Sequence, residues 1–144
     1  MPSSPKIEAN PRKLAIIVQS SSYNKLHLMA TLVATAVATQ GEAHVFLTYD
    51  ALLRYVTGTL DEAKPSLDDE KMNQIYQEGI EDGRIPSITD LLRQAREIGV
   101  VKVYGCSQST SLLRLDSKLT EKLDGVIGYT TFLISALDAK LVVI

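Results

Sequence analysis

Short apolar runs alternate with longer helical patterns along the chain. Five runs are bounded by polar residues or turn formers, as expected for buried strands: 14–19, 43–48, 100–104, 123–128 (a loop and a short strand) and 141–144. Helical patterns occupy most of the sequence between and around them: 25–40, 50–56, 67–78, 87–98, 107–115 and 129–137. Strands that alternate with helices indicate right-handed crossovers. The pattern predicts a three-layer α/β/α fold with a mostly parallel sheet of about five strands.

The length and composition fit one domain. The chain has 144 residues, of which 45% are hydrophobic and 22% charged, as in ordinary globular proteins. We predict a flexible arm over 1–13, where prolines occur without periodicity, and a single domain over 14–144. Because no leader pattern and no bilayer-length apolar stretch is present, we expect a soluble cytoplasmic protein that makes no membrane contact.

The charges are distributed unevenly. Between Asp61 and Asp82 there are eight acidic residues against Lys64 and Lys71. We interpret this acidic excursion, 59–85, as a solvated face rather than a docking surface for a basic partner. The rest of the chain has a small excess of positive charge but lacks the dense basic face of a nucleic-acid binder. We therefore expect no nucleic-acid partner, whereas a small anionic ligand is compatible with this charge.

Cys106 is the sharpest candidate for chemistry. It follows the third predicted strand and Gly105, and it precedes Ser107, Gln108 and Ser109, so we expect its sulfur at a strand-to-helix turn. Backbone N–H groups and the dipole at a helix N-terminus favour a thiolate and can hold a small anion. Gly105 is expected to let the backbone turn closely. The alternative is a buried cysteine that acts as a small hydrophobe.

The chemistry open to this thiol is limited because Cys106 is the only cysteine. A single cysteine cannot form an internal disulfide or run a two-cysteine redox cycle. A Cys–His hydrolase is disfavoured, since His44 is expected near the amino end of a strand and His27 about a turn inside its helix. One cysteine and two histidines match no metal-ligand spacing, and we expect neither a metal nor a cofactor. What remains is a thiolate that accepts a group and transfers it.

A hydroxyl-rich loop follows the first predicted strand. Ser20, Ser21 and Ser22 lie just before a helix, where hydroxyl and N–H groups can cradle an anion. Flavodoxin-like proteins place a phosphate loop at this position, so a flavin- or nucleotide-binding module that uses Ser20–Asn24 stays an alternative. The chain has no G-x-G-x-x-G motif, no Walker motif and no tryptophan. A loop that only caps the helix is the simpler interpretation.

Further polar side chains are expected at the carboxyl edge of the sheet, where ligands bind in parallel α/β folds. These candidates to line the cleft are Tyr23, Lys25, Tyr49, Tyr104 and Tyr129. The alternative for the tyrosines is packing at the rim of the core.

The cysteine segment carries a family resemblance. Val103–Ser109 resembles the cysteine motif of the DsrE/DsrF-like family of sulfur-relay proteins. Val45–Tyr49 is similar to the second strand of that family, and Asp124–Gly128 is similar to its penultimate segment. The resemblance covers 14–144. Within this family, the chain resembles the stand-alone branches encoded with sulfur-oxidation genes more than the other branches.

The resemblance implies a function for Cys106. It implies a compact α/β/α domain that assembles as homo-trimers or hexamers and carries sulfane sulfur on Cys106 as a persulfide or thiosulfonate. The cargo would be exchanged with a TusA-like carrier or a rhodanese, so the thiol needs access for another protein's cysteine. Sulfurtransferase turnover and stoichiometric carriage both stay open. A non-catalytic subunit is the third alternative. The excursion at 59–85 departs from the family pattern in length.

Overall fold

The computed structural model describes residues 12–144, so the predicted N-terminal arm lies outside the described residues except for its last two positions. The sheet contains β1 (Lys13–Val18), β2 (Glu42–Leu47), β3 (Val101–Cys106), β4 (Gly125–Ile127) and β5 (Lys140–Val143). The strand order is β4-β3-β2-β1-β5, and every neighbouring pair is parallel. The predicted α/β fold is confirmed, and the sheet is parallel throughout these five strands.

The helices follow the predicted pattern closely. They are α1 (Tyr23–Ala38), α2 (Tyr49–Thr57), α3 (Glu70–Glu81), α4 (Ile88–Ile98), α5 (Ser107–Leu112), α6 (Ser117–Thr120) and α7 (Tyr129–Ser135), with one 3₁₀ turn at Leu60–Glu62. The helix predicted over 107–115 is shorter than expected, because the chain enters the left-handed region at Arg114 (φ +52°) before α6 begins. None of these helices is long and apolar enough to cross a membrane.

The strand order decides which helices cover which face of the sheet. From β1 to β4 each crossover moves in the same direction, so right-handed connections place α1 to α6 on one face. The step from β4 to β5 returns across the sheet, so α7 lies on the opposite face. We call these the helix-rich face and the α7 face. They give the three layers of the fold.

The helix-rich face contains the larger core. Helix α1 packs against β1, β2 and α4. Its side chains Leu26, Met29, Val33 and Val37 are buried in this core, so α1 is covered on more than one side, as its apolar pattern predicts.

Asp61 joins three elements on this face. Its carboxylate accepts hydrogen bonds from the N–H groups of Ile88 (2.8 Å) and Thr89 (3.1 Å), the Thr89 hydroxyl (2.6 Å) and the Tyr23 hydroxyl (3.0 Å). It therefore caps the N-terminus of α4 together with Ser87, whose hydroxyl accepts from the Asp90 N–H. The other acidic residues of the excursion are exposed, as predicted, so Asp61 is the exception.

Candidate functional site

Cys106 lies where the sequence predicts, at the junction between β3 and α5. It is the last residue of the strand and the N-cap of the helix, and its carbonyl accepts a hydrogen bond from the Thr110 hydroxyl (2.9 Å). Gly105 lies inside the strand without a positive φ, so the predicted tight turn there is wrong. A Cβ at Gly105 would come 2.7 Å from Leu123 and 3.1 Å from Leu52. Glycine is needed at this position for close packing against the helix-rich core.

The Cys106 side chain is buried in a small apolar cluster on the α7 face. It is only 1% exposed and packs with Ala15, Phe46, Phe132 and Ala136. The rings of Phe46 and Phe132 stack with centroids 4.9 Å apart. The thiol is therefore closed to solvent in this conformation, contrary to the expectation of an accessible thiolate.

Tyr129 is the polar neighbour that connects this cluster to the surface. Its ring packs edge-on against Phe46 with centroids 4.9 Å apart, while 37% of the residue is exposed. Burial raises the pKa of the Tyr129 phenol, and the nearby Cys106 and Tyr49 side chains raise it further. The phenol thus keeps its proton at neutral pH and can donate it to a neighbouring acceptor.

Thr48 is a buried polar residue at the same edge that the sequence analysis did not identify. Its hydroxyl donates to the Val18 carbonyl (2.8 Å) and also faces Tyr129. The signal was present in the sequence, because Thr48 follows β2 directly and the carboxyl ends of neighbouring parallel strands meet at one edge.

The three predicted anion-binding residues after Cys106 have different roles. Ser109 is buried, and its hydroxyl accepts the N–H of Tyr49 (3.0 Å), whose backbone is in the left-handed region (φ +47°). Ser109 therefore ties the start of α2 to α5. Ser107 and Gln108 are exposed at the first turn of α5 and stay available to a ligand.

The serine loop is not assembled with Cys106. The hydroxyls of Ser20 and Ser22 lie 3.3 Å apart, and the Ser21 hydroxyl donates to the carboxylate of Asp50 (3.5 Å). Strand β2 separates the ends of β1 and β3, a distance of two strand spacings or about 10 Å. Within residues 12–144, no hydrogen bond links these serines to α5. The predicted joint anion pocket is therefore not formed.

Two of the predicted cleft residues lie elsewhere. Tyr23 is fully buried on the helix-rich face and donates to Asp61; burial first, and then this carboxylate, raise its pKa. Lys25 is exposed on α1.

Tyr104 lies within β3 on the same face as Cys106. It stacks on His44 with ring centroids 6.3 Å apart and packs edge-on against Phe132 of the Cys106 cluster, with centroids 6.4 Å apart. The structure thus brings Tyr49, Tyr104 and Tyr129, but not Tyr23 or Lys25, close to Cys106.

The strand order bears on the flavin alternative. Flavodoxin-like sheets have the order 2-1-3-4-5, whereas this sheet has β4-β3-β2-β1-β5. The Asp50 carboxylate beside Ser21 would also repel a phosphate. Neither feature favours a flavin phosphate in the Ser20–Asn24 loop.

Comparison of the chain with known protein-family models and with curated protein sequences finds no significant match.

Proposed function

We propose that this protein carries sulfane sulfur on Cys106 within a cytoplasmic sulfur-trafficking or sulfur-oxidation pathway. The observation that carries the proposal is the position of Cys106 at the carboxyl end of a parallel strand, at a helix N-terminus, beside the protonated hydroxyl of Tyr129. The resemblance of Val103–Ser109 to the sulfur-relay motif supports the same chemistry. The exchange partner is a TusA-like carrier or a rhodanese.

The transfer step is a thiol exchange without net oxidation. The Cys106 thiolate attacks the outer sulfur of a donor persulfide, a new S–S bond forms, and the donor's S–S bond breaks. The bonding electron pair leaves with the donor's inner sulfur, which takes up the proton that Cys106 lost. In the second step an acceptor thiolate attacks the outer sulfur, and the Cys106 thiolate is the leaving group. The Tyr129 hydroxyl donates a hydrogen bond to the sulfur before and after each transfer, when α7 is closed over Cys106.

The buried thiol places a condition on this mechanism. Because Cys106 is covered, a donor reaches it only when the Tyr129 end of α7 moves away from the sheet. Tyr129 is the first residue of a seven-residue helix, and local opening of such a short element costs much less than global unfolding. We therefore assign Tyr129 two roles, as a cover over the thiol and as a hydrogen-bond donor to it.

Intact mass measurement tests the cargo. Wild-type protein is incubated with polysulfide, thiosulfate or tetrathionate and is expected to gain a persulfide or thiosulfonate mass. Cys106→Ala is expected to gain none. If the Cys106→Ala protein still acquires the adduct, or if the folded wild type acquires none, the proposal is wrong.

The role of Tyr129 needs a rate measurement. Tyr129→Ala is expected to react with polysulfide about tenfold faster than wild type, because the cover is removed. Tyr129→Phe keeps the cover but loses the hydroxyl, so it should load at the wild-type rate or slower. Tyr76→Ala, on α3, is the matched control and should leave the rate unchanged. Equal rates for all four proteins would contradict the cover.

A second candidate follows directly from the burial of Cys106. A thiol that is 1% exposed in an apolar cluster also suits a non-catalytic subunit of a sulfur-transfer complex, in which the cysteine only packs. Alkylation of the folded protein separates the two candidates. If Cys106 resists iodoacetamide in the native state until the protein unfolds globally, the non-catalytic subunit is favoured.

We also propose that the protein forms a homo-oligomer, a trimer or hexamer, through the α7 face. Five apolar side chains on and after α7 and on β5 are exposed there: Leu133, Ile134, Leu137, Leu141 and Val143. A contiguous apolar surface of this kind is typical of an interaction site. The apolar residues of α1 do not contribute, since most of them are buried within the chain.

A further inference from the structure

A cavity opens at the amino end of β3, away from Cys106. It has a volume of about 690 Å³, within the usual range of small-molecule sites. Its walls come from the end of α2, the outer face of α4, the start of β3 and the loop before β4. Lys102 at this end lies four positions before Cys106 at the other, which is about 13 Å of strand.

The lining of this cavity is strongly basic for a chain of net charge −2. Four basic residues line it, Arg93, Arg96, Lys102 and Lys122, against the single acidic residue Asp124. Lys102 alternates along β3 with residues of the helix-rich core, so its side chain points toward the α7 face rather than toward α4. A concave wall with one sign of charge concentrates the opposite sign inside it. The cavity therefore favours an anion.

Most of this positive charge is not neutralised by neighbouring side chains. Among residues 12–144, Arg93 forms ion pairs with Asp90 (3.1 Å) and Glu97 (3.5 Å) on its own helix. Arg96, Lys102 and Lys122 have no carboxylate within ion-pair distance in the same part of the chain. The guanidinium of Arg96 donates to the Tyr55 hydroxyl and is held over that ring.

The Asp124 carboxylate offsets one of these positive charges, and it is directed at the backbone of β3 rather than at a basic side chain. Its carboxylate accepts the Val103 N–H (2.7 Å), and its own N–H donates to the Val103 carbonyl. Val101 lies two residues before Val103 on β3. Because every second residue of a strand directs its N–H and C=O groups to the same side, the backbone groups of Val101 point to the same side of β3 as those of Val103. Strand β4 pairs only with Tyr104–Cys106, so the backbone at Val101 has no strand partner on that side and faces the cavity.

Apolar and aromatic surface completes the site. Leu60, Leu92 and Val101 are buried side chains at the cavity wall, and Tyr55 presents a half-buried ring beside Arg96. A small inorganic anion would use only the basic side chains. A larger ligand with an anionic end and a planar or apolar body would use both parts of the lining.

We propose that this cavity binds a phosphorylated small molecule with two or more negative charges, with the phosphates at Arg96 and Lys122 and the organic part against Tyr55 and Leu92. The site is independent of the chemistry at Cys106. It adds a ligand-binding function at the opposite end of the same strand.

Isothermal titration calorimetry of the full chain with ADP, inorganic pyrophosphate and adenosine tests this proposal. ADP is expected to bind in the micromolar range, pyrophosphate more weakly, and adenosine without measurable affinity. Arg96→Gln and Lys122→Gln should each lower the ADP affinity about tenfold, the usual effect of losing a hydrogen bond to a charged group. Lys118→Gln removes the same charge from exposed α6 outside the cavity and should leave the affinity unchanged.

Three outcomes would overturn the proposal. The first is no binding of ADP or pyrophosphate at millimolar concentration. The second is equal loss of affinity in Lys118→Gln and Lys122→Gln, which would indicate general attraction of polyanions. The third is stronger binding of a nucleic-acid oligomer than of ADP. Unfolding midpoints of the unliganded variants identify any that fail to fold, and Cys106→Ala should bind ADP as the wild type does.

Discussion

The two faces of the sheet are built in different ways. The helix-rich face is covered by several helices and contains a large, continuous core. Within residues 12–144, the α7 face is covered by one helix of seven residues, and five buried side chains form its cluster, including Cys106. We therefore expect stability to be concentrated on the helix-rich face, and the face that contains the thiol to open at lower cost.

The largest expected effect comes from the helix-rich core. Leu26→Ala should lower the free energy of unfolding by about 2–5 kcal/mol, because Leu26 is fully buried between α1 and the sheet. Leu28→Ala, on the same helix but 47% exposed, should change it by less than about 0.5 kcal/mol. Chemical denaturation measures both. Similar losses in the two variants would contradict the assignment of stability to this face.

The Asp61 carboxylate should contribute a smaller amount on the same face. Asp61→Asn leaves the Tyr23, Ile88 and Thr89 donors without a charged acceptor, and we expect a loss of about 1–3 kcal/mol. Asp68→Asn, exposed in the same acidic excursion, is the control and should be neutral. Equal stability of the two variants would show that Asp61 does not cap α4.

The pH dependence sharpens this prediction. Burial raises the pKa of Asp61, but the hydrogen bonds from Thr89, Ile88 and Tyr23 outweigh it, so the folded-state pKa lies below its ordinary value. Its stabilisation is therefore present above the unfolded pKa of about 4 and is lost as the pH falls through the lower folded value. Wild type and Asp61→Asn should converge in stability in acid. A difference that stays constant from neutral pH into acid would contradict this linkage.

The α7 face should show a local effect. Phe132→Ala removes a fully buried ring that holds α7 on the sheet, and Cys106 in the folded protein should then react with iodoacetamide about tenfold faster, equivalent to about 1.4 kcal/mol. Leu26→Ala should change this rate much less. If both variants open the thiol equally, the two faces unfold together and the comparison fails.

The smallest effect on stability is expected at the exposed edge of the α7 face. Leu137 is 84% exposed, so Leu137→Glu should change the free energy of unfolding by less than about 0.5 kcal/mol, and it should prevent the self-association that we propose for this face. Leu112→Glu, on α5, is the control. Analytical ultracentrifugation measures the assembly. An unchanged oligomer in Leu137→Glu would place the interface elsewhere.

The fold could be predicted from the sequence because local patterns decide it. The apolar runs ended within about two residues of β1, β2 and β3, since such runs have few alternatives to a buried strand. The cap at Ser87 and the left-handed end of α2 at Gly58 also follow from local chemistry. The order of the strands depends on contacts between distant segments, so local patterns could not predict that all five strands are parallel.

The site was less predictable for a physical reason. Cys106 was placed correctly along the chain, but its burial depends on Phe46 and Phe132, which are distant in sequence. Tyr23 and Tyr129 both follow a strand in the sequence, so the sequence predicted both as cleft residues. They lie on opposite faces of the sheet because the helices that they begin, α1 and α7, cover opposite faces. The basic cavity combines residues from four elements, and no spacing along the chain reveals that combination.

The register between β1 and β5 has a consequence for synthesis. Leu14 aligns with Lys140, so the last ladder joins segments more than a hundred residues apart. Contacts of such long range form late, because the closure entropy of the whole intervening chain opposes them. On the ribosome, β1 to β3 can assemble with α1 to α4 before α7 and β5 have emerged. We therefore expect the thiol of Cys106 to stay uncovered in the nascent protein until α7 has emerged and packed on the sheet.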